Sequence, residues 1–204
     1  MEQTILSWAP LLKEQGIAVS YGAPPDGLFA EELARRGYDH EPIRFPAHRG
    51  LRAGESRRFA GPLNLSREVG VVGMSTYRVA RVLRRYDMAH SHSLFGHLEA
   101  ALAGRIARRP VLLHIHDIVQ PGVGRTLLDR AVALSSRTYA ITAAVRDCIS
   151  PALHQKVVVQ HHGLDLEQFT GEASSARIRH ELGAEDGDVL VGMLGRIDRP
   201  KGVD

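Results

Sequence analysis

What most constrains this chain is an alternation: short runs rich in aliphatic residues recur between longer segments with helical spacing. Ile17–Tyr21, Glu41–Phe45, Asp87–His92, Val111–His116, Thr138–Thr142 and Lys156–Gln160 read as strands. Between them the spacing predicts helices over Ile5–Gln15, Leu28–Arg36, Ser66–Arg85, Phe95–Arg108, Gly124–Leu134 and Ala144–Leu153. Strands that alternate with helices imply a parallel sheet with helices on both faces, a doubly wound α/β domain. The continuous apolar run Val111-Leu112-Leu113 suits a strand buried on both sides.

Two local features carry specific expectations. Pro10 lacks an amide hydrogen and should kink the first helix or delay its start. In the Ser66–Arg85 helix, Val69, Val72, Val79, Val82 and Leu83 fall on one side and form the expected buried stripe. From Pro46 to Pro62, arginine, glycine and proline without periodicity read as a mobile loop.

Beyond Phe169 the pattern changes. Gly171–Ser175 reads as a linker, Ala176–Leu182 as a short helix and Asp188–Leu194 as a new strand. One strand has nothing to pair with, so this stretch is expected to open a second domain. The predicted division is a main domain over 1–170, a linker with a short helix over 171–187, and the start of an incomplete domain over 188–204.

Composition removes several classes. With 44% apolar and 24% charged residues among 204, the chain can bury a core and is not a disordered polyelectrolyte. No apolar run reaches the ~18 residues of a membrane-spanning helix, and Met1–Thr4 has no secretion-signal character. A single cysteine, Cys148, excludes an intramolecular disulfide framework. These features point to the cytoplasm. Of 26 basic residues 23 are arginine, many of them between Arg35 and Arg109, for a net charge of only +3. That surface is either simply solvated or attracts anions such as nucleotides and acidic lipid headgroups at the inner face of a membrane. Aromatics at 5% provide no stacking platform for nucleic acid, which is not an expected partner.

Two strands finish in a His-X-His pair, His90-Ser91-His92 and His114-Ile115-His116-Asp117. Side chains two apart on a strand share a face, and ligands in open parallel sheets bind beyond the carboxyl ends of the strands. His92 and His116 should therefore reach that crevice. Histidine there can bond sugar hydroxyls or phosphate oxygens, or move a proton. The pairs also suit a zinc-dependent hydrolase, with further ligands from His161-His162, although adjacent histidines point to opposite faces of a strand. A third option is a non-catalytic α/β module that binds a nucleotide or a partner chain. In Gly192–Gly202, glycines and a helix start bring free N–H groups to an anion, and Arg196 and Lys201 add two positive charges. Unit charges ~4 Å apart at an effective dielectric near 20 interact by about 4 kcal/mol, enough to matter for a leaving diphosphate.

These segments, in this order, resemble the N-terminal half of a family-4 retaining glycosyltransferase of the GT-B fold. Leu6–Val19 looks like the first helix and second strand, and Tyr86–His92 like the "D-V-V-H-x-H" strand. Val111–Asp117 looks like the strand ending in "H-D", and Val157–Asp165 with Phe169 like the "V-I-P-N-G-V-D" segment. Gly195-Arg196 with Lys201–Asp204 looks like the "G-R…K-G-x-D" opening of the second domain.

The resemblance implies transfer of a sugar from a nucleotide-diphosphate donor to an acceptor hydroxyl on a glycan, lipid or small molecule, with retention, no cofactor and no obligatory metal. Arg196 and Lys201 would hold the donor diphosphate, and His116 would contact the transferred sugar as the catalytic-site residue. Against the family pattern, the first strand with its glycine-rich loop and the "E-x7-E" segment are missing, and His161-His162 stands where Pro-Asn is usual. The resemblance therefore implies a piece truncated at both ends, inactive by itself.

Overall fold

The computed structural model describes residues 2–44, 62–92, 94, 96–163, 166, 175–185 and 187–192. The predicted loop at 46–61, the linker at 171–174, and Arg196 and Lys201 lie outside the described residues. The chain divides into two compact units, Met1–Gly163 and Leu164–Asp204.

The first unit runs α1 (Glu2–Glu14), β1 (Tyr21–Ala23), α2 (Leu28–Arg36), β2 (His40–Pro42), α3 (Pro62–Leu83), β3 (Ala89–Ser91) and α4 (His97–Ala107). It continues with β4 (Val111–Ile115), α5 (Val123–Leu134), β5 (Arg137–Ala140), α6 (Ala143–Asp147), a 3₁₀ turn at Pro151–Lys156, and β6 (Val157–Val159). Every strand pairing is parallel, in a two-stranded sheet β1-β2 and a four-stranded sheet β3-β4-β5-β6. The mixed α/β architecture with parallel sheets agrees with the sequence pattern.

Consecutive strand order with right-handed crossovers sends α4, α5 and α6 to one face of the larger sheet. The core lies there. Val111, Leu113, Ile115, Ala140 and Val157 pack against Ala100 and Ala101 of α4, Leu128, Ala131 and Val132 of α5, and Val145 and Ile149 beyond. Leu113 and Ala131 are fully buried. Gly104 lets α4 lie down on β4: a Cβ there would stand 2.3 Å from Val111 Cγ2 and 2.9 Å from the Arg109 carbonyl. A second cluster joins Leu6 and Ala9 of α1 to Tyr21 and Leu33.

Several boundaries move for identifiable reasons. α1 passes through Pro10 without interruption, because Pro10 is exposed while Leu6 and Ala9 anchor the helix from the other side. α3 turns inward a face rotated from the predicted stripe and sharing only Leu83 with its fully buried positions. Val69 is 64% exposed, Val72, Val79 and Val82 are half-buried, and Ser75, Thr76, Ala80 and Leu83 are buried among the described side chains. Small side chains there meet the alanine-rich surface of α4 and let the two helices pack. The helix expected over Ala144–Leu153 stops at Asp147, since Pro151 cannot donate and forces Ser150 to extended ψ. Thr142 caps α6, its Oγ1 accepting the Val145 N–H at 3.2 Å. β1 forms at Tyr21–Ala23, later than Ile17–Tyr21, where its partner β2 lies.

In the second unit α7 (Ser175–Glu181) closes on Gly183 in the left-handed region. Residues 188–192 form no strand among the described residues, and Val189 and Val191 are 86% and 93% exposed. Among the described residues no partner strand takes their backbone groups. No described helix is long and apolar enough to cross a membrane.

Candidate functional site

The face of the larger sheet opposite α4–α6 carries imidazoles. In the β4–β5 register, His114 stands opposite Tyr139, while Leu113 and Ile115 point into the core. On β3, Ser91 pairs with Leu113, so His92 comes level with His114. Alternation then puts His90, His92, His114 and His116 on one face. The His90 and His114 rings are 5.5 Å apart and nearly parallel at 10°, and His114 and His116 stack at 4.6 Å and 16°.

His162, just after β6, completes the row, stacked on His116 at 5.0 Å. His116 sits at the centre of a hydrogen-bonded chain. Its Nε2 lies 3.2 Å from His92 Nδ1, and its Nδ1 lies 3.1 Å from His162 Nε2. A neutral imidazole has one donor and one acceptor nitrogen, so three neutral rings satisfy this chain in a single direction. Beneath the strand end, Ser91 Oγ bonds His97 Nδ1 at 2.8 Å.

Trp8 of α1 covers the row, its ring 5.6–6.2 Å from those of His90, His92, His114 and His162. Burial against it and the sheet holds the imidazoles neutral. His90 and His116 are pushed down to about 4, His114 to about 3 and His92 to about 2, in each case by desolvation first and neighbouring imidazoles second. His162 is lowered for the same first reason. At neutral pH such rings are poor proton acceptors but competent hydrogen-bond partners for hydroxyls and competent metal ligands. His114 is 3% exposed, with no hydrogen-bond partner at either ring nitrogen.

The structure thus brings His92 and His116 together at the strand ends, as the sequence pattern predicts. His162 joins them, while His161 stays exposed, consistent with opposite faces for adjacent residues. Trp8 is the residue the sequence reading misses. Its contact depends on where α1 lies, and only its position beside the buried pair Leu6 and Ala9 could have signalled it.

Comparison with known proteins follows the same line. The model of the family described as Glycosyltransferase Family 4 matches residues 1–168. The UDP-N-acetylglucosamine--N-acetylmuramyl-(pentapeptide) pyrophosphoryl-undecaprenol N-acetylglucosamine transferase of Acidovorax sp. (strain JS42) is 32% identical over 136 residues, 66% of this chain and 31% of that protein. Its counterpart in Acidovorax ebreus (strain TPSY) matches to the same extent. Among solved structures, Anabaena Alr3699/HepE in complex with UDP superposes with a TM-score of 0.62 at 21% identity, covering 89% of this chain and 46% of that one. The same protein with UDP-glucose gives 0.60. The chain spans less than half the length of these proteins. The structural likeness establishes a shared fold.

Proposed function

This chain belongs to glycosyltransferase family 4, and on that premise we propose that it serves sugar transfer from a nucleotide-diphosphate donor to an acceptor hydroxyl, with retention and without an obligatory metal. The observation that carries the reading is the convergence of His92 and His116 at the carboxyl ends of two adjacent parallel strands, where open α/β sheets take their ligands. His116 is held neutral, so its part is to contact the transferred sugar by hydrogen bonding, a hydroxyl exchanging with His92 or His162 as its partner. Arg196 and Lys201 hold the donor diphosphate and stabilise the departing charge. A nucleotide-diphosphate sugar is the donor, consistent with the UDP and UDP-glucose named for the HepE structures. The acceptor is a glycan, a lipid or a small molecule. Arg44, Arg78 and Arg81 line an open groove with Pro25, Pro42 and Ile43, which supports peripheral contact with acidic membrane lipid.

The test is transfer from a panel of nucleotide sugars, run with the chain alone and joined to a donor-binding domain. In the active form, Arg196→Ala and Lys201→Ala should each lower kcat by roughly 10²–10³. His116→Ala should lower kcat/KM. Near-normal turnover in all three variants would overturn these assignments.

A further inference from the structure

We propose that His90, His92 and His114 form a binding site for a divalent transition metal of the zinc class, a site that shares His92 with the sugar-transfer reading and goes beyond it. His90 and His92 project from one face of β3, and His114 projects beside them from β4. One ring nitrogen of each lies within 4.8 Å of those of the other two. A tetrahedral zinc with Zn–N bonds of 2.0–2.1 Å needs its ligand nitrogens about 3.3 Å apart. Closing the site draws the nitrogens together and turns the nearly parallel His90 and His114 rings toward a common point.

Two further observations favour this triad. His114 is buried with both ring nitrogens lacking a hydrogen-bond partner, an arrangement that costs free energy until something coordinates one of them. His92 already turns Nδ1 to His116 Nε2 at 3.2 Å, leaving Nε2 for a metal. Histidine ligands characteristically donate their other N–H to a neighbour, which fixes tautomer and ring orientation. His116 in turn engages His162 with its own Nδ1.

A second group, His114, His116 and His162, has comparably close nitrogens. There both nitrogens of His116 are engaged by other histidines, so a metal would have to break a bond already made. Three neutral imidazoles with no carboxylate select zinc, copper or nickel over magnesium or calcium. Three protein nitrogens leave a fourth position open to water. The exposure of His90 places the entry on its side.

The experiment uses untagged, EDTA-treated protein titrated with Zn²⁺, Co²⁺ and Mg²⁺ by calorimetry, with Trp8 fluorescence recorded in parallel. One Zn²⁺ per chain is expected, with a Trp8 response, a tetrahedral Co²⁺ visible spectrum and no Mg²⁺ binding. His90→Ala and His92→Ala should each weaken Zn²⁺ binding roughly 10–100-fold. His162→Ala should change it far less. Circular dichroism confirms that each variant is folded, and His90→Ala, at an exposed position, keeps the test independent of folding. Absence of stoichiometric Zn²⁺, unchanged affinity in His90→Ala and His92→Ala, or an equal loss in His162→Ala would each overturn the site.

Discussion

Lowering the pH from 7.5 to 5.0 should destabilise this protein through its imidazole row. His92 and His114 are held near 2 and 3 in the folded chain, by burial first and by neighbouring imidazoles second, whereas an unfolded histidine titrates near 6.5. Below pH 6.5 the unfolded chain therefore binds protons that the folded chain refuses. Stability is fully present above the unfolded value and is lost as pH falls, at about 1.4 kcal/mol per pH unit for each such group. Between pH 6.5 and 5.0 each ring contributes a loss of about 2 kcal/mol, so the pair gives about 4 kcal/mol. That is a large share of the ~5–15 kcal/mol typical of a domain. Glu32 and Glu41 are lowered, Glu32 by hydrogen bonds from Arg35 and Arg36 and Glu41 by Tyr86 first. Their contribution is present above about 4.5 and disappears only below it, so this pH window isolates the histidines.

The assay is urea unfolding of EDTA-treated protein at half-unit steps from pH 7.5 to 5.0, followed by Trp8 fluorescence and far-ultraviolet circular dichroism. Trp8 is the single tryptophan and lies 5.6–6.2 Å from four of the rings, so its emission reports on the row itself. His92→Asn combined with His114→Leu should reduce the slope, leaving the part contributed by His90 and His116, which are held at about 4. Stability that is level across the window, or a slope unchanged in the double variant, would refute the reasoning.

Two packing predictions accompany it. Gly104→Ala should destabilise by about 1–3 kcal/mol in thermal or urea melts, because the added methyl meets Val111 and the Arg109 carbonyl; this outweighs the ~1 kcal/mol that alanine normally gains over glycine in a helix. Tyr86→Phe should cost about 1–2 kcal/mol, since the Tyr86 hydroxyl donates at 2.6 Å to Glu41 Oε1; melts of Tyr86→Phe at pH 7.5 check it.

The sequence shows the alternation of elements, and hence the parallel α/β fold, because strands buried by crossover helices need continuous aliphatic runs such as Val111–Leu113. The two His-X-His pairs are legible for a similar reason: a period of two is enough to set their shared face. What escapes is whatever depends on a distant partner. The buried face of α3 is chosen by the alanine surface of α4, which favours Ser75, Thr76 and Ala80 over Val69. The strand expected over Asp188–Leu194 needs a neighbour that the described residues do not supply. Pro10 misleads because a local penalty of ~3 kcal/mol is offset by contacts of Leu6 and Ala9 that no local rule contains. The role of Trp8 belongs to the same class.

Among the described residues, no backbone ladder connects β1-β2 to β3–β6. The attachment visible between them is made of side chains, with Tyr86 and Arg85 both gripping Glu41 from beyond α3. Arg78 adds a bond to the Arg44 carbonyl, and Trp8, carried on α1 with the Tyr21 cluster, rests on four imidazoles of the larger sheet. The seating of this lobe is therefore written in a few side chains, and the histidine row is itself one of its supports.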